Sequence, residues 1–205
     1  MAASRAVHPL RPSDADAAAG VLLRAFFDDP WVTWLFPDSA KRRRRGVWFM
    51  RKAVEYGLRY GAVFSDDDTA GAAIWLTPGN TTMKASGVIR IGLFLMPFRV
   101  GTTAFTRFMA TDFALESAHK AHAPGPHWYL FMLGVDPSRQ RSGIGSALVQ
   151  AGIDRAEEAG LPCYVDTQAE ANVAYYERHG FRVVAEVRLP RGGPLTWTML
   201  REPRR

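Results

Sequence analysis

The chain has 205 residues, is 47% hydrophobic and 22% charged, and carries a formal net charge of +6. That length supplies one substantial core, and the apolar fraction excludes wholesale disorder. The longest apolar run, Ile91 to Phe98, is too short to span a bilayer, and Cys163 is the only cysteine, which excludes an internal disulfide.

The opening stretch MAASRAVHPLRPSDADAAAG contains no continuous apolar segment, so no secretory signal is expected. With a single cysteine, this points to a cytoplasmic address. A basic balance raises the question of nucleic acid. The one dense block, Lys41 to Arg45, is followed by Val47, Met50, Val54 and Leu58 at helical spacing. It reads as the solvated first turns of an amphipathic helix. No helix-turn-helix, zinc or RNA-binding aromatic motif accompanies it, so no nucleic-acid partner is expected, and the shortness of the longest apolar run leaves no membrane partner expected either. An anionic small ligand explains a basic surface equally well.

Taken in chain order, Ala6 to Arg11 reads as a short first strand. Ser13 and Asp16 form a capping-box pair, with Ser13 as N-cap of a helix carrying Val21, Leu22, Ala25 and Phe26. Asp28-Asp29-Pro30 ends that helix. A second helix is predicted from about Lys41 to Tyr60, then a hairpin of Ala62–Ser65 and Gly71–Leu76. Residues 78–125 suggest one or two amphipathic helices broken near Pro97 and Gly101, forming core or a ligand lid. His127 to Val135 is a near-continuous apolar strand stopped by Pro137. Ile144, Leu148, Gly152, Ala156 and Ala159 mark a helix closed by Gly160. Cys163 to Thr167 is a short strand and Asn172 to His179 a short helix. Phe181 to Leu189 and Leu195 to Leu200 are strands joined by a Gly-rich turn. The order describes a mixed α/β protein built on one sheet. It fits a single domain over 1–205.

The most informative stretch is Gly134 to Gln150, GVDPSRQRSGIGSALVQ. It is not a Walker A loop, because Gly143 is followed by Ile144 with no lysine. It is not a dinucleotide fingerprint, because the third glycine position is Leu148 and seven residues separate Val135 from Gly143. What remains is Gln140-Arg141-Ser142-Gly143-Ile144-Gly145, a Q/R-x-x-G-x-G/A pattern. Glycine lets backbone approach a phosphate closely, and the following helix adds unpaired N–H donors at its positive dipole end. Arg139 and Arg141 add charge. The alternative is a ligand-free strand-to-helix turn.

With Tyr176-Glu177-Arg178-His179-Gly180-Phe181 about thirty residues on, the chain resembles the GNAT superfamily of acyl-CoA-dependent N-acetyltransferases. Further stretches are similar to its puromycin-acetylating branch: Ala25 to Pro30, Ala72 to Pro78, Gly134 to Val149, Ala156 to Thr167, and Gly193 to Pro203. The similarity is dense over about 126–203 and poor over 80–125, and His179 stands where a leucine is more usual. The resemblance implies the acyl-CoA N-acyltransferase fold of that superfamily, a mixed but mainly antiparallel sheet flanked by helices, with acetyl-CoA as co-substrate, an acetyl-CoA-binding core at about 126–203 and an acceptor-side segment at about 78–125. It implies a small-molecule amine as acceptor, possession of no metal, and either a monomer or a homodimer. Modification of an antibiotic as the cellular role is left open.

Carried over residue by residue, the resemblance puts the backbone of Leu133, Gly134 and Val135 along the pantetheine arm. Gly134, in a buried strand, fits a β-bulge. Gln140, Arg141, Ser142, Gly143, Ile144, Gly145 and Ser146 would hold the pyrophosphate. Asn172 stands near the pantetheine or serves as a helix N-cap. The resemblance selects Tyr176, rather than its neighbour Tyr175, as the acid for the leaving thiolate. Tyrosine, with a pKa of ~10, stays protonated at neutral pH beside a thiol of ~8.5. The general base is not readable: Asp28, Asp29 and Asp166 are candidates, as is a water chain, and Asp29 and Asp166 are the acceptor-side candidates. Glu116, His119, His122 and His127 invite a metal, but no further ligand completes a tetrahedron. The rival readings are a non-catalytic acyl-CoA-binding domain and an acetyltransferase acting on protein N-termini or lysines.

Overall fold

Gly71–Leu76 has six consecutive buried residues, and a strand with no polar side must lie inside a sheet covered on both faces. It does so in the computed structural model, which describes residues 6–204. The first five residues of the stretch read above as lacking a signal lie outside the described residues.

The strands are β1 (Val7–Pro9), β2 (Gly61–Asp66), β3 (Gly71–Leu76), β4 (Trp128–Val135), β5 (Cys163–Thr167), β6 (Arg182–Arg188) and β7 (Leu195–Arg201). They form one sheet in the order β1-β2-β3-β4-β5-β7-β6. Among the described residues β4 and β5 are the parallel pair, and the other neighbours are antiparallel. The expected mixed, mainly antiparallel sheet is therefore observed.

Helices cover both faces. On one side lie α1 (Ala15–Ala25), α2 (Pro30–Leu35), α3 (Ser39–Tyr60), α4 (Ala85–Arg90), α5 (Met96–Val100) and α6 (Thr102–His122). Their core includes Leu22, Val32, Met50, Val54, Met96 and Phe108. On the other side lie α7 (Ile144–Glu158) and α8 (Ala171–Glu177), packed through Leu148, Ile153, Ala156 and Tyr176. Gly152 of α7 lies directly over the Trp75 indole: a Cβ there would stand 2.0 Å from Trp75 Cε2. Glycine is required for α7 to lie this close to β3.

Five local expectations need correction. Ser13 is not an N-cap; its hydroxyl bonds Asp14 Oδ1 at 3.0 Å, in a 3-10 turn that leads into α1. Pro30 ends nothing: Asp29 accepts from the N–H groups of Trp31 (2.9 Å) and Val32 (3.3 Å), and Pro30 starts α2. Pro97 likewise sits in the first turn of α5; the chain breaks at Gly101, as expected, and at the left-handed Gly92. The basic block is only partly solvated. Arg42 is buried, donates to Phe36 O at 2.9 Å and stacks on Phe27, while Arg45 donates to Val100 O at 2.9 Å. Gly134 is not a bulge. It pairs in register with Ala72, and the irregularity falls at Phe131, between Leu130↔Trp75 and Met132↔Ile74. Glycine is needed at 134 because a Cβ would meet Ala25 Cβ and Leu22 Cδ2 at 2.9 Å.

Candidate active site

Pairing between β4 and β5 runs Trp128↔Cys163, Tyr129↔Tyr164 and Leu130↔Val165, then stops. Beyond it β4 stays on β3 and β5 stays on β7, so a gap opens between Phe131–Val135 and Asp166–Thr167. The backbone facing the gap follows from alternation. Asp136 N–H donates to Ala70 O at 2.8 Å, on the β3 side. Successive N–H groups of a strand alternate, so those of Val135 and Leu133 point into the gap. The carbonyl of Val135 points there as well and accepts from Gln140 Nε2 at 3.4 Å.

At one end of the gap is the glycine turn. Arg141 (φ +58) and Gly143 (φ +88) are both left-handed, and Gly143 is the N-cap of the fifteen-residue α7 with no side-chain cap. Alternating handedness gathers successive N–H groups into a concave cradle at the positive end of the helix. A Cβ on Gly143 would meet nothing within 4 Å, so the space before it is open. The cleft is lined by Leu133, Val135, Arg139, Gln140, Arg141, Gly143, Ile144, Gly145, Ser146, Asn172, Tyr175, Tyr176 and Arg178. The turn is anchored: Asp136 accepts from Arg24 at 2.7 Å and from the Ser138 hydroxyl at 2.7 Å, and Ser142 donates to Arg139 O at 2.6 Å. Arg139 is already partnered by Asp68 at 3.1 Å. The chemistry of this set, amide donors plus guanidinium groups and no carboxylate, fits a pyrophosphate.

At the other end is a second cleft, between α6 and the sheet. Phe26, Trp31, Phe108, Leu115, Tyr129, Phe131 and Met132 give it apolar walls, and Asp29, Asp112, Glu116 and Asp166 give it carboxyls. Tyr129 donates to Asp166 Oδ2 at 2.9 Å. Burial pushes the Asp166 carboxyl up to about 7, against hydrogen bonding with Tyr129 and Tyr164 that pulls it down. Burial raises Asp29, opposed by the two N–H groups it caps, and raises Asp112, reinforced by the charge of Glu116. Glu116 also pairs with Lys120 at 2.7 Å.

Leu133, Asn172 and Tyr176 border both clefts. Tyr176 is buried where α8 meets the sheet, its ring edge-on to Phe181 at 5.8 Å, and burial holds its hydroxyl well above the usual phenol range. Tyr175 lines only the glycine-turn cleft, close to Gly145. Asn172 is not an N-cap: it lies inside α8, and its amide donates to Thr167 Oγ1 at 3.1 Å.

The structure thus brings together every predicted residue of the glycine turn except Ser142, which lies within the turn but is absent from the cleft lining. Gly134 does not reach the cleft; its carbonyl and N–H belong to the β3 ladder. Asp29 and Asp166 both reach the second cleft, whereas Asp28 is exposed beside Arg42 at 4.0 Å. His119 and His127 are paired rather than spread along a metal shell, and no group of three metal-type ligands occurs among the described residues. Sequence reasoning missed Tyr129, Asp112 and Glu116 as cleft residues.

Residues 23–181 match the Acetyltransferase (GNAT) family. The chain belongs to that family. Its members use acetyl-CoA as co-substrate, so the chain is an acetyltransferase. An uncharacterized N-acetyltransferase of Schizosaccharomyces pombe is 28% identical over 99% of this chain and 84% of its own length. The crystal structure of a Corynebacterium glutamicum protein described as histone acetyltransferase HPA2 and related acetyltransferase superposes with a TM-score of 0.67 at 23% identity, covering 98% of each chain. Arylalkylamine N-acetyltransferase 2 of Aedes aegypti superposes at 0.62 with 12% identity, covering 97% of this chain and 99% of that one. At these identities the two structures establish the fold. No helix among the described residues is long and apolar enough to cross a membrane.

Proposed function

We propose that the protein acetylates the primary amine of a small aromatic or apolar molecule, by direct transfer from acetyl-CoA in a ternary complex. The observation that carries this reading is the shared border of the two clefts at Tyr176, Asn172 and Leu133. A donor lying along the glycine turn and an acceptor lying under α6 meet only there.

The cradle of Gln140, Arg141, Ser142, Gly143, Ile144, Gly145 and Ser146 would take the pyrophosphate, and the gap-facing backbone of Leu133 and Val135 the pantetheine. Acetyl-CoA supplies an electrophilic thioester carbonyl and a thiolate leaving group. Asp166 accepts the proton that the acceptor ammonium must lose, since a carboxyl near neutrality is matched to that task. Val135 N–H, with no strand opposite it, donates to the developing oxyanion. Burial keeps Tyr176 protonated at rest; as the C–S bond breaks it hands that proton to the leaving sulfur, and the second proton shed by the attacking nitrogen restores it. Asp29 and Asp112 add negative potential that draws a cation into the cleft.

The acceptor class rests on carboxyls set among Phe26, Trp31, Phe108, Tyr129 and Phe131. The printed substrate of the Aedes aegypti protein, an arylalkylamine, is of that chemistry. Thiol release from acetyl-CoA is the test, with phenethylamine, agmatine and puromycin as acceptors. Release with an aromatic amine supports the reading. Acetyl-CoA binding without amine-dependent release, across the panel, keeps the family and discards this acceptor class.

A further inference from the structure

The reaction above leaves two buried imidazoles unused. His119 lies on α6 and borders the acceptor cleft; His127 precedes β4 and does not. Their Nε2 atoms are 2.9 Å apart. His127 Nδ1 lies 2.8 Å from the Gly125 carbonyl oxygen.

This geometry dictates the tautomers. A carbonyl only accepts, so Nδ1 of His127 carries the hydrogen. A neutral His127 then presents a bare Nε2, and the 2.9 Å contact requires His119 Nε2 to donate to it. His119 Nδ1 is therefore bare. Both rings are neutral because burial opposes charge, pushing His119 down to about 3 and lowering His127 as well. The His119 ring is held in place, stacked on Tyr164 at 4.0 Å and edge-on to Tyr129 at 4.8 Å. The Nε2–H bond and the Nδ1 lone pair of an imidazole point in diverging directions. With Nε2 committed to a residue outside the cleft, Nδ1 is the nitrogen left to the cleft side. The titratable groups around it are Asp112 and Glu116 on its own helix, Tyr129 on β4, and Tyr164 and Asp166 on β5.

We propose that His119 binds the acceptor: His127 and the Gly125 carbonyl lock it as the Nε2–H tautomer, and its bare Nδ1 receives an N–H of the acceptor's ammonium. Asp166 and His119 then hold the same nitrogen from β5 and from α6. His127 is a positioning residue that acts through His119. The inference rests on reading the α6 cleft as the acceptor site, but not on turnover.

Two measurements test it in the full chain, with phenethylamine as probe. The first is nitrogen NMR of labelled histidine. His119 Nδ1 should resonate in the unprotonated range and Nε2 in the protonated range, and phenethylamine should shift Nδ1. A protonated Nδ1, or a Nδ1 indifferent to saturating amine, overturns the proposal. The second is a substitution pair. His119→Asn places an amide oxygen at the position of Nδ1, whereas His119→Gln places its terminal group at Nε2. The Gln variant should bind phenethylamine about tenfold more weakly, as expected for one lost hydrogen bond to a charged group. The Asn variant should recover most of that affinity, and acetyl-CoA affinity should be unchanged in both. Equal phenethylamine affinity in wild type and the Gln variant, with acetyl-CoA still bound, also overturns it. If the wild type shows the Nδ1 shift but releases no thiol with phenethylamine, acetylation of this amine fails as a reading and its binding by His119 stands.

Discussion

Tyr129 Oη donates to Asp166 Oδ2 at 2.9 Å, where β4 and β5 make their last pairs before separating. One strand pair thus both opens the gap and seats a carboxyl at its edge. With its carboxyl pushed up to about 7, Asp166 changes charge in the physiological range. As a base it works only when deprotonated. kcat/KM should therefore rise with pH through about 7, and Asp166→Asn should lose that limb and about 100-fold or more in rate. The acceptor's own titration is common to both enzymes, so the comparison isolates the carboxyl. An Asn variant with the wild-type pH profile would remove Asp166 from the chemistry.

The same shift has a consequence for stability. Asp166 binds its proton more tightly folded than unfolded, so its contribution is greatest at acid pH and is lost as pH rises through about 7. Replacing it with neutral Asn should stabilise the fold at pH 8, by up to a few kcal/mol at roughly 1.4 kcal/mol per pKa unit, and should have little effect at pH 4. Urea unfolding at the two pH values decides this. Equal gains at both would mean that packing, not charge burial, is responsible.

Much of this site was legible because its signals are local. Gly143 and Gly145 advertise themselves by spacing, whereas Tyr176 stands out from Tyr175 only through the family resemblance of the stretch Tyr176 to Phe181. The acceptor side was opaque for a physical reason. Helix α6 turns Phe108, Thr111 and His119 inward yet leaves Met109 and Phe113 exposed, so no single apolar period marks its cleft face. Tyr129 reads as one more apolar residue of a buried strand, and only the end of β4–β5 pairing reveals it as a partner of Asp166. Asp29 illustrates the opposite error. The triplet Asp28-Asp29-Pro30 carries the signature of a helix start as well as of a stop, and the structure uses it for the start.

Tyr176→Phe tests the acid. The ring is packed against Phe181 and Tyr175, so the fold should tolerate loss of one oxygen. Turnover should fall 10²–10⁴-fold, the usual range for general acid catalysis, with little change in acceptor KM. Tyr175→Phe, beside the glycine turn, should leave kcat within a few-fold. A reversal of the two results would transfer the role to Tyr175.

Gly143 tests the cradle. Its φ of +88 is costly for any residue with a Cβ, and that Cβ would enter the open space in front of the turn. Gly143→Val should weaken acetyl-CoA binding by at least tenfold in calorimetric titration. Amine binding to the α6 cleft should be unaffected, since Gly143 does not line it. Unchanged acetyl-CoA affinity would place the pyrophosphate elsewhere.

Gly152→Ala separates the scaffold from the chemistry. The added methyl would fall 2.0 Å from Trp75 Cε2, and Trp75 is fully buried in β3. Either α7 lifts off the sheet or the indole leaves its place. Overpacking of this kind costs about 1–3 kcal/mol. Because α7 begins at the glycine turn, a lifted helix also moves the cradle away from β4. The variant should therefore lose both thermal stability and acetyl-CoA affinity, whereas Gly143→Val should lose chiefly the affinity. Gly152→Ala with normal stability would show that α7 and β3 are not packed as closely as the Gly152–Trp75 contact requires.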